Sequence, residues 1–386
     1  MRKLLTISVL ALLLSCGGKS DAEKSGTGNI LENLSYSVDT VVVDSGDEFI
    51  TIANEFQLEL SSSLSKDNKT LYLFNNNDHK LSVVDLDQLK LREFLPFEKE
   101  GPNGVGEYVQ SIQVLSNDQF LFTNFQATGI FDRNGKNLES FKLHKAEFDG
   151  LELDSPFNYQ MLMTSDQNRL FSLTGYFNDG AKDLVKLNPK ERTGEIIDLP
   201  ALDVASDFSV MMSDRSIMAV PQSSLREING TLFISNEVTS SVYRYDYQKD
   251  SLQLTTFQHQ LVQNAKTGSL KNEVSSQDEF FAETAKSSSQ ISFHKFMWDE
   301  SRRQFFRLGH KIISSTIEDI SDIENKESYK SIIYLFVYDS ELNLLGETIF
   351  EKITQRPRFY FFKDGKLYSY VNVEDELGFA VFTFNF

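Results

Sequence analysis

Three asparagines stand at places where their chemistry could be shared. Asn75, Asn124 and Asn236 each follow an apolar, strand-like run, "TLYLF", "FLFT" and "TLFIS". Carboxamides at equivalent positions can ring a common opening. There they would coordinate a hard cation such as calcium, or hydrogen-bond a sugar. Asparagine also ends strands and starts turns, so the same positions have a structural reading. His79, His144, His259 and His310 lie in segments read as loops, whereas His294 lies within a strand-like run. His79 closes the densest polar cluster, "NNNDH" (75–79). No His-x-x-x-His or His-Glu-x-x-His pairing offers a zinc site, and no Gly-x-Ser-x-Gly elbow offers a serine nucleophile. No catalytic residue is assigned. The expected binding residues are Asn75, Asn124, Asn236 and His79, with calcium the one cofactor considered.

The stretch "EKEGPNGVGEY" (98–108) poses a separate question, because glycine-rich loops can cradle phosphate. A dinucleotide fingerprint needs G-x-G-x-x-G between a strand and a helix, and a P-loop needs G-K-[ST]. Neither spacing is present, and the next residues, "YVQSIQVLSNDQFLFTN" (108–124), read as strand, turn and strand. Proline fixes φ and glycine permits positive φ, as a sharp reversal of the chain requires. The stretch is read as a turn.

The elements that would position these residues repeat. Apolar runs end in Asp85, Asp132, Asn188, Asp246, Asp339 and Asn385, spaced 47, 56, 58, 93 and 46 residues apart. After each of the first five come a polar turn and another strand-like run; upstream of each lies a second hairpin. These turns are "SKDNK" (65–69), "SNDQ" (116–119), "SDQNR" (165–169), "EING" (227–230), "DESR" (299–302) and "KDG" (363–365). Apolar and β-branched runs bounded by Asn, Asp, Gly and Ser are strand–turn–strand signals. Four strands, A to D, repeating about every 40–50 residues predict an all-β fold, a six-bladed β-propeller with four-stranded blades. The last unit lacks strand D, and "LSYSVDTVVVD" (34–44) is the strand available to complete it and close the ring. Only "SSQDEFFAETAKSS" (275–288) reads as a helix. The long spacing of 93 is read as one blade with insertions, at about 259–289 and 311–330. Long segments fall only in D–A links and B–C loops, so elaboration is expected on one face.

The N-terminus supplies an address. Residues 1–15, "MRKLLTISVLALLLS", combine two cations with an apolar run too short for a mature membrane span. "LLSC" followed by two glycines resembles the lipobox of bacterial lipoproteins, in which the cysteine, here Cys16, is acylated. Cys16 is the only cysteine of 386 residues, so no disulfide can form within the chain. Residues 16–33 are expected to be a flexible tether, and 34–386 one propeller domain. The formal charge is −18, and losing residues 1–15 takes it to −20. Such acidity disfavours nucleic acid and leaves the lipid as the only expected contact with the membrane.

The lipobox, the Gly-Pro-x-Gly-x-Gly-Glu-Tyr link at 101–108 and the Asp-ended hairpins resemble uncharacterised propeller lipoproteins of Bacteroidota. Those are similar to TolB-like and NHL-like six-bladed propellers, and one group carries only a domain-of-unknown-function label. The resemblance implies architecture and brings no catalytic residue. The expectation is a monomeric lipoprotein of the cell envelope, held at the outer membrane, that binds a protein or glycan partner without enzymatic activity. The alternative is a lactonase-like propeller hydrolase using a cation at the channel mouth. An outer-membrane barrel, suggested by "FTFNF" and terminal Phe386, is rejected because the strands are short and apolar on both faces.

Overall fold

The aspartates and asparagines that end the apolar runs anchor the turns after them. The Oδ1 of Asp85, Asp132, Asn188, Asp246 and Asp339 each accepts two backbone N–H bonds from the next few residues. A short side-chain acceptor thus takes the place of a backbone carbonyl and starts the reversal. The five hairpins share this device, which is why a residue type recurs at blade spacing.

The computed structural model describes residues 28–52, 58–142, 148–151, 157–158, 160–175, 180–313, 330–351 and 353–386. Among them the hairpins assemble into six four-stranded antiparallel sheets, formed by 62–96, 109–142, 162–197, 223–255, 292–349, and 360–385 together with 35–42. In the sixth, the N-terminal strand Ser35–Val42 lies antiparallel to Glu376–Asn385, with Ser35 opposite Asn385 and Val42 opposite Gly378. Just before it, Asn29 bonds the backbone N–H and carbonyl of Glu347, and Leu31 is buried between the fifth and sixth sheets. A Cβ on Gly346 would lie 2.6 Å from Asn29 Oδ1, so this close approach needs glycine.

Neighbouring sheets pack through aromatic-rich clusters. Phe74 and Phe97 of the first meet Phe120, Phe122 and Phe131 of the second. Phe141 meets Met163 and Val185, Phe171 meets Tyr243 and Tyr245, and Phe233 meets Phe305 and Phe336. The run Phe359–Phe362 alternates as a strand should. Tyr360 and Phe362 pack on the fifth sheet, whereas Phe359 and Phe361 pack on Leu71, Leu73 and Val84 of the first. The succession of shared clusters therefore returns to its start. Each buried Phe contributes about 1.5–3 kcal/mol, so the joints between sheets hold much of the stability.

Two D–A links combine into a satellite. A 3-10 helix (Pro200–Phe208) leads into the strand Val210–Met212, which pairs with Met218–Ala219 and, in parallel, with Glu273–Val274 from the next link. The helix Gln277–Ser288 covers it through Phe280, and Ser276 caps that helix by accepting from Glu279 N–H. Read from sequence as separate loops, the two links share one small core.

Candidate functional site

Each of the three asparagines bonds backbone. Asn124 Nδ2 donates to Val105 O at 2.9 Å while its Oδ1 accepts from Gln126 and Ala127. Asn236 Nδ2 donates to Leu202 O at 2.9 Å, and its Oδ1 accepts from Val238 and Thr239. Asn75 follows the same plan with Thr51 O and Asn77 N–H. Each carboxamide turns the B–C corner and ties it to the incoming D–A link, so a ligand at these groups would have to displace those bonds. His79 is buried, bonds Gly106 O at 3.0 Å and meets Phe74 edge to face. The Gly101–Tyr108 link is a turn with Gly101 and Gly106 at positive φ. A Cβ on Gly106 would lie 2.5 Å from Asn124 Nδ2. His144 lies outside the described residues. His310, read as a loop residue, is instead in the strand Gln304–Ile313; its apolar neighbours extend that strand further than the polar segment after it suggested. Among the described residues, no group of three or more His, Cys, Asp or Glu could hold a metal ion.

A different constellation gathers where the first strands of the sheets begin. Glu59 precedes strand A of the first sheet, Arg226 is in strand A of the fourth, and Lys295 is in strand A of the fifth. The Glu59 carboxylate pairs with Arg226 and, at 3.0 Å, with Lys295 Nζ. The first and fourth sheets share no packing cluster, so this pair joins two sheets that are not neighbours, 167 residues apart in sequence. Strand A of the fifth sheet is bulged there: His294 and Lys295 together oppose Leu308, between the pairs Phe293–Gly309 and Phe296–Arg307. A bulge re-aims side chains that a regular strand would alternate. Lys295 Nζ lies 4.6 Å from the Tyr360 ring centroid, and the Tyr360 hydroxyl bonds His294 Nδ1 at 3.0 Å. His294 Nε2 meets His310 Nδ1 at 2.8 Å. Arg307, fully buried, bonds the carbonyls of His294 and Ser240 and stacks on Phe293 and Phe296. From the D–A link to the sixth sheet, Arg356 pairs with Glu237 at 2.5 Å. Lys266, in the link below the satellite helix, donates to Ser287 O and Oγ.

The electrostatics follow from crowding cations around few carboxylates. Burial alone would raise the Glu59 carboxyl, but Lys295 and Arg226 override it and bring it down to about 2. Burial, with Arg226 repulsion and against Glu59, brings Lys295 down to about 8. One ionised carboxylate is shared by two cations. Burial also lowers Lys266 to about 8 and Arg307 to about 10. Burial, then the charge of Arg356, keeps His294 and His310 well below the ordinary imidazole range. Arg226 and Arg356 keep 34% and 41% of their side chains accessible, whereas Lys295, held against Glu59 and the Tyr360 ring, is buried. Glu237, in a B–C segment, and Lys266 and Arg356, in D–A links, set the charged residues on the face of the sheets that carries those segments. That face also exposes Phe49 (72%) and Phe125 (55%). At its rim, Gln260, Gln263, Gln290 and Lys311 line a cleft of about 450 Å³.

Sequence reasoning passed over this cluster, although it left a trace. "FHKF" (293–296) sets a His-Lys pair within an apolar strand, where charge is rarely buried without a partner.

The model of a domain of unknown function, DUF4221, matches residues 28–349. The chain belongs to the DUF4221 family. A DUF4221 member from Bacteroides vulgatus has a similar structure, with a TM-score of 0.64 at 12% identity, covering 91% of this chain and 98% of that one. A candidate exported protein of Bacteroides fragilis is similar at a TM-score of 0.51 and 11% identity, covering 93% and 96%. At these identities the likeness establishes the fold of the DUF4221 chain alone. No curated protein matches the chain in sequence. No helix among the described residues is long and apolar enough to cross a membrane.

Proposed function

We propose that this DUF4221 chain is a binding module of the cell envelope: a closed six-bladed β-propeller, exported and tethered through acylated Cys16. Its D–A and B–C face would capture a protein or glycan partner without chemistry of its own. One observation carries the reading: the satellite, the exposed Phe49 and Phe125 and the Arg356–Glu237 pair all lie on that face. Loops on a rigid scaffold are where binding residues concentrate, and exposed aromatics suit a protein contact. Six sheets, the return of their packing to the first, and the pairing of Ser35–Val42 with the sixth support the propeller. The "LLSC" signal supports the tether.

The test is a pull-down from detergent-solubilised membranes with the lipidated chain, beside a variant with Phe49 and Phe125 changed to Ser. A partner captured by the first and lost by the second is the expected result. A folded chain that captures nothing, yet hydrolyses lactones or esters in a calcium-dependent way, would replace this reading with the hydrolase.

A further inference from the structure

We propose that the cationic group of Arg226, Lys295 and Arg356 binds the carboxylate of an anionic ligand entering from the D–A and B–C face. The proposal rests on the reading of that face as the binding face and names the chemistry recognised there. Its first support is a charge count. Arg226, Lys266, Lys295, Arg307 and Arg356 bring five cations together, and among the described residues only Glu59 and Glu237 pair with them. The surplus stands inside a chain of formal charge −18. A cation taken from water without a counter-charge is strongly unfavourable, so a retained surplus calls for an anion from outside.

Unmet hydrogen bonding is the second support. The buried Nε of Arg226 and one terminal nitrogen of Arg307 have no hydrogen-bond partner among the described residues. Accessibility is the third, because Arg226 and Arg356 keep a third or more of their side chains open to solvent. The chemistry of the ligand is read from the protein's own group. Glu59 offers one carboxylate oxygen to Arg226 and the other to Lys295. A guanidinium fork matches a planar carboxylate, and Arg356, held on one side by Glu237, supplies a second fork. Glu59 thus occupies part of the site as an internal competitor.

The experiment is titration calorimetry on the mature full-length chain with glucuronate and N-acetylalanine, which present a carboxylate from a sugar and from a peptide end. Glucose and inorganic sulfate are the controls. Binding of either carboxylate, weakened by added salt, with glucose silent, is expected. Arg356→Met should weaken it at least about tenfold, and Glu59→Gln should tighten it about tenfold, the factor that corresponds to ~1.4 kcal/mol. Circular dichroism reports whether each variant folds; Arg356 is the more exposed, so its variant keeps the test decisive if Glu59→Gln does not. Silence of both carboxylates, sulfate binding in their place, or affinities unmoved by Arg356→Met would overturn the proposal. If the membrane pull-down still captures its partner, only the carboxylate site fails. If that capture fails too, the binding face itself is wrong.

Discussion

Asn236 and Asn75 make the same pattern of bonds at different depths. Asn236 is 2% exposed, so Asn236→Ala would leave Leu202 O and the N–H groups of Val238 and Thr239 unpaired and dry. It should lower stability by about 2–3 kcal/mol in a denaturant titration, and Asn75→Ala by less than about 1, since water replaces the lost bonds there. Equal losses would contradict the assignment. The histidines predict a pH dependence. His294 and His310 are held well below the unfolded value of about 6.5, and burial, then Arg307, brings His259 down to about 4. Below about pH 6.5 the unfolded chain takes up protons that the folded chain does not, so stability falls as pH falls. At about pH 5.5 this amounts to roughly 1.4 kcal/mol per histidine and about 4 in all. A melting temperature that stays flat between about pH 7.5 and 5.5 would refute it. The equivalence of the asparagines was legible because each ends a run of the same grammar. The Glu59–Arg226–Lys295 cluster was not, because Glu59 and Arg226 lie 167 residues apart in sequence and the three meet only after six sheets have packed.

At the scale of elements, hairpins were legible and their joints were not. Asp-ended runs are local signals, since Asp132 reaches only Asn134 and Lys136. The helix Gln277–Ser288 was legible too, from its serine cap and acidic first turn. The satellite was hidden because Met211 pairs with Glu273, 62 residues away, through a two-residue strand too short to leave a pattern. Phe280 is the buried residue that joins this helix to Phe208 and Val274. Phe280→Ala should remove about 3–5 kcal/mol of local stability. Hydrogen exchange should then quicken across 200–219 and 270–288 while the six sheets keep their protection; uniform quickening would mean that the satellite is part of the main core. Gly106→Ala should destabilise by about 1–3 kcal/mol, because alanine neither suits φ +100° nor clears Asn124. An unchanged denaturation midpoint would count against the docking of that link.

For the whole molecule, counting strands proved more informative than any motif. Six hairpin pairs with one strand missing direct the N-terminal segment to the last sheet, and Ser35–Val42 lies there. A chain shortened through Asp44 leaves the Glu376–Asn385 edge unpaired, and such edges recruit other chains. It should form oligomers on size-exclusion chromatography, and a peptide of residues 34–44 should reverse this; a soluble monomer without the peptide would show that the strand is dispensable. The same seam has a mechanical meaning. Ser35 faces Asn385, so the start of the N-terminal strand meets the end of the last strand at one corner, and a pull arriving from residues ahead of Asn29 loads that corner first. The Asn29 clamp on Glu347 and the buried Leu31 would take the load before the eight-residue ladder does. With the proposed tether at Cys16 under tension, the seam nearest the tether is also the one that would begin to unzip.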